Sequence, residues 1–319
     1  MFEYLITRPL GWIIEMIYSL VANYGLAIII FTVLVKLILL PLNIKSQKAM
    51  RKQQKIQPIL QELQKKYAND QDKLNREMMK LYKENNVSMT GGCLPMLIQM
   101  PILIGLYQVI QKPLSYLVGV DWMAQDVIDK VYMLRDTMAA SIGNLATQTE
   151  EMLARTYQIQ LSQWAGIVNG PSDPWVLNFN FLGLDLANTP SAALNYLMRL
   201  DFSNLGVIAL LIIPVLAVVS QLLTTKLTQV QSGQNNNKND SASSTANQMS
   251  KSMMIMMPIM TGVFTFTLPS GIGVYWIVSS LVQLIQQLAL NKYFDSKGEE
   301  VIIRTPERKQ LHGKKSKKR

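Results

Sequence analysis

The feature that most constrains this chain is an apolar run over residues 25–42, which is long enough to cross a membrane and contains a single cation. As a helix the run would rise roughly 27 Å, about the thickness of the hydrocarbon core of a bilayer. Its one charged residue, Lys36, lies about 9 Å from the end of the run. Hydrocarbon solvates an ammonium group poorly. The side chain therefore either extends to the nearer interface or faces a wet, protein-lined cavity.

Composition indicates a membrane protein, because 49% of the 319 residues are hydrophobic and they are concentrated in long runs. One cysteine, Cys93, excludes an internal disulfide framework, and one histidine, His312, leaves too few ligands for a zinc site. The sequence predicts an all-α polytopic membrane protein with five transmembrane helices, at residues 23–42, 92–118, 205–226, 252–268 and 271–291.

Charge on the connecting segments predicts the orientation. The hairpin at 43–90 has 11 Lys/Arg and 5 acidic residues, whereas the segment at 119–204 has 4 and 9. By the positive-inside rule the hairpin is cytoplasmic and segment 119–204 extracytoplasmic, which gives an N-out, C-in protein of the bacterial cytoplasmic membrane. Three further parts are predicted: an interfacial amphipathic helix at 1–22, a disordered cytoplasmic loop at 227–251 and a basic cytoplasmic tail at 292–319. The helix at 1–22 and the first span together are predicted to be an uncleaved anchor.

The polar block at 43–90 is predicted to be a helical hairpin. Pro58 and residues 68–71 divide it into helical pieces. Apolar residues recur at helical spacing in both halves and should pack against each other. They are Ile56, Ile59, Leu60 and Leu63 in one half and Leu74, Met78 and Leu81 in the other.

Polar residues in four predicted spans lie at about the depth of Lys36, which predicts a hydrophilic groove open to the cytoplasm. Thr32 lies one turn before Lys36 on the same helix face. The other members are Gln99, Gln221, Gln286 and Gln287. The alternative is that these glutamines, being near span ends, reach the interface. Because no Asp or Glu occurs in the five spans, the Lys36 cation is expected to attract an acidic group that arrives with a ligand.

The fourth span begins with a methionine-rich stretch, residues 253–260. Flexible, polarisable methionine side chains suit a surface that meets many different apolar helices, although a buried helix rich in methionine is an equal alternative. The predicted sliding surface for such helices consists of Met100, Met253, Met256, Met257 and Met260.

These residues together resemble the YidC family of membrane-protein insertases. The matching motifs are the run at 32–42, Gln57-Pro58, Lys66-Tyr67, Leu81-Tyr82, the block at 92–101 and the segment at 269–276. The resemblance implies a five-helix core whose groove opens to cytoplasm and lipid. It also implies a positive groove residue, at Lys36, that receives the hydrophilic flank of a client, with Gln99 in the matching second-span motif. Pro58, Tyr67 and Tyr82 fall in the family's cytoplasmic hairpin.

The chain departs from this family at several positions. The family usually has arginine where Lys36 stands, so two-pronged recognition of a carboxylate is lost while a point charge remains. Residues 125–170 of the outer segment look like an insertion without a family counterpart. The chain is most similar to Gram-positive-type members.

We therefore expect an insertase and chaperone that works without a cofactor and is not an enzyme. Its expected partners are membrane-protein clients and the lipid bilayer, with the Sec translocon as a further candidate. The basic tail would bind ribosomal RNA or anionic lipid, or is simply a solvated end. The alternative function is a small-solute transporter or channel, against which the missing inverted repeat and missing acidic residues weigh.

Overall fold

The computed structural model describes residues 2–87, 94–138, 157–200, 202–231 and 245–296, most of which are helical. The chain divides into two compact units. The first unit takes in residues 1–36, 99–220 and 260–280, and the second takes in residues 37–98, 221–259 and 281–319.

Helices account for most of the described elements. In chain order they are α1 (Arg8–Val21), α2 (Tyr24–Ile38), α3 (Leu40–Lys66), α4 (Gln71–Glu84), α5 (Leu94–Gln111), α6 (Gln125–Met138), α7 (Gln158–Asn169), α8 (Ala192–Met198), α9 (Leu205–Ala209), α10 (Ile212–Gln231), α11 (Thr245–Thr267) and α12 (Ser270–Ser296). Two π-helical turns cover Glu3–Thr7 and Leu114–Val118. One antiparallel hairpin, which we call the outer hairpin, joins β1 (Asn180–Phe181) to β2 (Leu184–Asp185).

Two segments in the described part of the chain are long and apolar enough to cross a membrane, Leu205–Leu227 and Ser270–Ser296. The bent pair Tyr24–Ile38 and Leu40–Lys66 raises this number to three if it is counted as one span, and Met256–Thr267 is a shorter apolar helix. These helices support a helical membrane protein, whereas the count of five spans stays a prediction.

Local sequence explains several helix ends. The side chain of Asn23 accepts a hydrogen bond from the Leu26 amide at 3.0 Å and so begins α2. Asp70 caps α4 in the same way through the Lys73 amide. Helix α10 continues to Gln231 and α11 begins at Thr245, so helix covers both edges of the loop predicted at 227–251. Extending an existing helix costs less than nucleating one, which favours such extensions. Residues 232–244 of that loop and 297–319 of the tail lie outside the described residues.

The first unit contains a packed cluster within the outer segment. Its buried members are Leu114, Val131, Leu134, Leu161, Trp164, Ala165 and Trp175. Much of this cluster comes from the predicted insertion at 125–170, of which residues 139–156 lie outside the described part. Helices α6 and α7 of this predicted insertion therefore share a hydrophobic core with Leu114 and Trp175, which lie outside it.

The chain on either side of the outer hairpin, at residues 178, 179 and 188, contacts the starts of α2 and α12 within the first unit. The Tyr24 amide donates to the Asn178 carbonyl at 3.0 Å, and the Tyr24 ring lies edge-on to Phe179 at 4.9 Å. Beyond the hairpin, both the amide and the hydroxyl of Ser270 donate to the Asn188 carbonyl. The start of α2 and the start of α12 are thereby joined to one segment, which the sequence predicts to be extracytoplasmic.

The second unit contains the predicted helical hairpin. Ile56, Leu60, Leu81 and Val87 form a buried cluster, which confirms that the two apolar stripes pack together. Pro58 lies inside α3 and does not divide it, contrary to the prediction from its position. Helix α3 ends only at Lys66. Pro58 is on its exposed side, and tertiary packing on the opposite face keeps the helix continuous.

Arg51 joins α3 to the end of α12 within the second unit. Its guanidinium donates to the Asp295 carboxylate at 3.0 Å and to the side chain and carbonyl of Asn291 at 2.9 and 3.1 Å. It also lies 4.9 Å from the centre of the Phe294 ring. The planar fork of arginine makes these contacts simultaneously, which lysine would not do.

A partly buried ion pair supports the hydrophobic cluster of the first unit. Lys130 donates to Asp173 at 2.7 Å and lies 4.3 Å from the centre of the Trp175 ring. Burial tends to raise the pKa of Asp173, but hydrogen bonds from Lys130, the Trp175 amide and the Asn169 side chain outweigh burial and lower it. The ionised form of Asp173 is therefore the one that stabilises the fold.

Replacing Asp173 with asparagine should lower the stability of this cluster by about 2 kcal/mol at neutral pH, because hydrogen bonds to a charged group are lost. Since the pKa is lowered on folding, this contribution is fully present above the ordinary value of 3.8. It disappears as the pH falls through the lower pKa of the folded state. Thermal unfolding of the purified protein, followed by tryptophan fluorescence, measures the difference. The exposed Asp129→Asn is the control, and an equal loss in that variant would contradict the assignment.

Candidate functional site

Lys36 is buried in the first unit, with 6% of its surface exposed. Its ammonium group donates to the side-chain oxygen of Gln99 at 3.4 Å. Helix α2 places Lys36 on a face whose other members, Ile28, Phe31 and Thr32, are fully buried. The chain thus holds an ammonium group in its interior, in contact with a neutral amide.

Gln99 connects Lys36 to a third side chain. Its nitrogen donates to the hydroxyl of Tyr275, which is 2% exposed and comes from α12. The oxygen of the Gln99 amide faces the Lys36 ammonium, and its nitrogen faces the Tyr275 hydroxyl. These two partners together fix the orientation of the amide. Lys36, Gln99 and Tyr275 form a polar triad contributed by three helices.

Tyr275 was not among the predicted groove residues. The signal that points to it is the motif at 269–276, in which an aromatic pair follows two glycines. Close packing explains those glycines, because a Cβ at Gly271 would lie 3.1 Å from atoms of Ile28 and Tyr24. Helix α12 therefore approaches α2 closely enough for Tyr275 to join the triad.

Thr32 is fully buried, and its hydroxyl donates to the Ile28 carbonyl of its own helix at 2.6 Å. The proton is thus used within α2, while the hydroxyl oxygen keeps acceptor capacity. Thr32 can therefore accept a hydrogen bond near Lys36 but does not present a donor.

The other predicted groove residues belong to the second unit. The oxygen of Gln286 accepts from the Asn43 side chain at 3.3 Å, and Gln287 is 2% exposed. The nitrogen of Gln221 lies 3.9 Å from the sulfur of Met257. Asn43 follows Lys36 at helical spacing in the sequence, and its contact with Gln286 lies within the second unit.

Four of the five predicted sliding-surface methionines are exposed. The exposed fractions are 46% for Met100, 59% for Met256, 43% for Met257 and 47% for Met260. The side chain of Met253 lies outside the described residues. These exposed fractions describe the surface on which the predicted contact with apolar helices would take place, and the role of the methionines stays a prediction.

The predicted hairpin residues differ in environment. Tyr67 is half-buried, with the ammonium groups of Lys66 and Lys73 at 5.8 and 5.4 Å from its ring centre. Tyr82 packs against the buried cluster of the hairpin, and burial raises its pKa. Pro58 is exposed on α3.

Two cavities lie away from the triad. One of about 840 Å³ is in the first unit, between α1 and residues 112–131, and one of about 470 Å³ is in the second unit beside Tyr82. Neither is lined by Lys36. A groove at Lys36 therefore remains a prediction from the sequence and from the polar triad.

Known proteins provide an independent comparison. The family model of the 60Kd inner membrane protein matches residues 16–297. A curated protein from Clostridium perfringens, named membrane protein insertase YidC, is 33% identical over 85% of this chain and 79% of its own length. A protein of the same name from Caldanaerobacter subterraneus is 29% identical over 88% of this chain and 92% of its own length.

A third relative matches more strongly over a shorter region. The protein of this name from Nitratidesulfovibrio vulgaris (strain DSM 19637 / Miyazaki F) is 50% identical over 104 residues, which are 33% of this chain. The match spans only 19% of that relative's length.

Proposed function

Because the chain belongs to the family of the 60Kd inner membrane protein, we propose that it is a membrane-protein insertase that moves apolar helices of client proteins into the bilayer. Family membership and the apolar helices make it a bacterial membrane protein. The polar triad of Lys36, Gln99 and Tyr275 is the observation that carries the mechanism. The proposed activity transfers a client helix from water into the bilayer, so no covalent bond is made or broken.

In this proposal the hydrophilic flank of a client binds beside Lys36 during insertion. An acidic flank would be attracted to the buried ammonium, since charges interact more strongly away from bulk water. Gln99 keeps the cation in place through a neutral contact, and Tyr275 keeps Gln99 in place. The triad would thereby lower the cost of moving a polar flank into the membrane.

The groove itself is part of the proposal. It is formed by five spans in an N-out, C-in arrangement and includes Thr32, Gln221, Gln286 and Gln287 as further polar contacts. The charge asymmetry of the segments at 43–90 and 119–204 supports the orientation. The apolar outer halves of the first and third spans would seal the groove against the outside.

The client's apolar helix is proposed to move along the surface formed by Met100, Met253, Met256, Met257 and Met260. Exposure of four of these methionines supports such a surface. Transfer of apolar area from water to lipid would supply the driving force, about 25 cal/mol per Å². No nucleotide is then required.

The cytoplasmic hairpin, with Pro58, Tyr67 and Tyr82, is proposed to receive the client before insertion. The basic tail at 292–319 would attract ribosomal RNA or anionic lipid by its charge. The Sec translocon is a further candidate partner for clients with several spans.

Reconstitution tests this function directly. The purified protein in sealed liposomes should insert a short single-span client without nucleotide, as measured by protection of its translocated flank from added protease. Liposomes without the protein are the control. Flux of small solutes without client insertion would contradict the proposal and favour a transporter or channel instead.

A further inference from the structure

The cavity of about 840 Å³ in the first unit has the volume of a small-molecule site but plays no part in the proposed groove. Its walls come from α1, the π-helical turn Leu114–Val118, α6 and the start of α7. The side chains that define its chemistry are Glu3, Arg8, Trp12, Glu15, Lys112 and Tyr116.

Four charged side chains of both signs line this cavity. In the part of the chain that the structure describes, no salt bridge joins Glu3 or Glu15 to Arg8 or Lys112. A simple anion would be repelled by the two carboxylates, and a simple cation by the guanidinium and the ammonium. The complementary ligand is one that carries both charges a few ångströms apart.

The wall of the cavity is organised before any ligand arrives. The Ser115 hydroxyl accepts hydrogen bonds from Gln158 at 2.7 Å and from the Trp122 indole at 2.8 Å, while the Ser115 amide donates to Gln158 at 2.9 Å. Gln158 is 1% exposed, so this contact is internal. These bonds hold residues 115, 122 and 158 together and keep one side of the cavity rigid.

Two of the charged groups are also positioned. The Arg8 guanidinium stacks over the Tyr4 ring at 4.2 Å, and the Glu3 carboxylate accepts from the Tyr116 hydroxyl at 3.5 Å. Arg8, Trp12 and Glu15 follow one another at helical spacing on α1, so they face the cavity together.

An exposed apolar face on α1 borders the cavity. Trp12 is 63% exposed and lines the cavity, while Met16 and Leu20, one and two turns further on, are 47% and 82% exposed. An amphipathic helix with tryptophan beside charged residues is typical of the membrane interface, where the ring lies at the level of the headgroups.

We propose that this cavity binds the headgroup of a phospholipid that carries a primary ammonium, namely phosphatidylethanolamine, at the outer interface of the membrane. Arg8 and Lys112 bind the phosphate, and one of the two carboxylates, that of Glu3 or that of Glu15, accepts hydrogen bonds from the ammonium. The acyl chains extend along the exposed apolar face of α1. The outer location rests on the N-out orientation of the proposed function, whereas the ligand assignment rests on the charges of the cavity and on the exposed apolar face of α1 beside it.

Lipid binding by the full-length protein in detergent micelles, counted by native mass spectrometry, tests the proposal. The wild type should prefer phosphatidylethanolamine over phosphatidylglycerol. The double variant Glu3→Gln/Glu15→Gln should lose about threefold in that preference, as expected for partly exposed ion pairs. Lys112→Met should weaken the binding of both lipids by a similar factor, because both make the phosphate contact.

The exposed Asp126→Asn is the matched control and should leave binding unchanged. An unaltered lipid preference in Glu3→Gln/Glu15→Gln would overturn the proposal, as would binding of phosphatidylcholine as tight as that of phosphatidylethanolamine. Soluble glycerophosphoethanolamine should compete weakly, and competition as strong as that of the lipid would assign the site to a soluble compound instead. Client insertion is measured separately, so failure of lipid binding would leave the insertase proposal standing.

Discussion

Replacing Lys36 with glutamate is expected to lower insertion of a client with an acidic flank at least tenfold, while Lys36→Arg retains insertion. At about 4 Å and an effective dielectric constant of about 20, opposite unit charges attract by roughly 4 kcal/mol, and the substitution turns this attraction into repulsion. Lys36→Gln should lie between the two, because it removes the charge but keeps a donor for Gln99.

The client provides the sharpest control for this prediction. The same single-span client with its acidic flank residues changed to amides should respond little to Lys36→Glu, and a client with lysine in the flank should be inserted better by Lys36→Glu than by Lys36→Gln. Lys45→Glu, an exposed charge reversal at the start of α3, is the matched variant of the protein. Thermal unfolding of each variant separates loss of the fold from loss of electrostatic attraction. Full activity of Lys36→Glu on acidic flanks would remove the cation from the mechanism.

Gly25→Ala is expected to lower the stability of the first unit by about 1–3 kcal/mol, which is the usual cost of overpacking. A Cβ at this position would lie 2.6 Å from the Cβ and 2.8 Å from the Cδ2 of Phe181 in the outer hairpin. Because the Cβ is at the base of the side chain, rotation of the ring would not remove this contact. Because the amide of the neighbouring Tyr24 bonds to Asn178, the strain falls on the contact between α2 and the outer hairpin.

A double-mutant cycle makes the second prediction specific. In a Phe181→Gly background the cost of Gly25→Ala should largely disappear, since glycine removes the Cβ as well as the ring and so all the clashing atoms. Gly206→Ala is the control, because a Cβ there meets only Asn204 at 3.6 Å and alanine is the better helix former. The free energy of unfolding in detergent measures all four members of the cycle. An equal cost of Gly25→Ala in both backgrounds would contradict the close approach.

Several features of this protein were predictable from local sequence patterns. The apolar stripes at Ile56, Leu60 and Leu81 indicated helices that pack together, and the structure buries all three in one cluster. Family motifs indicated the family before any fold was known, and the comparison over residues 16–297 confirmed it. The unusual position of Lys36 in an apolar run was also evident. Such properties depend on residues close together in the chain, which is why periodicity and composition reveal them.

Contacts between distant residues were decided by the tertiary structure. Gln99 and Tyr275 are 176 residues apart, and only the approach of α12 makes them partners. Helix α3 continues through Pro58 because the opposite face of the helix is packed. The local sequence does not reveal this packing. Leu134, Leu161 and Trp175 form one buried cluster although they come from separate segments of the chain. The sequence by itself therefore determined the helical class, the family and the presence of a cation in an apolar run, whereas packing between helices decided that Lys36 is buried and what each polar side chain touches.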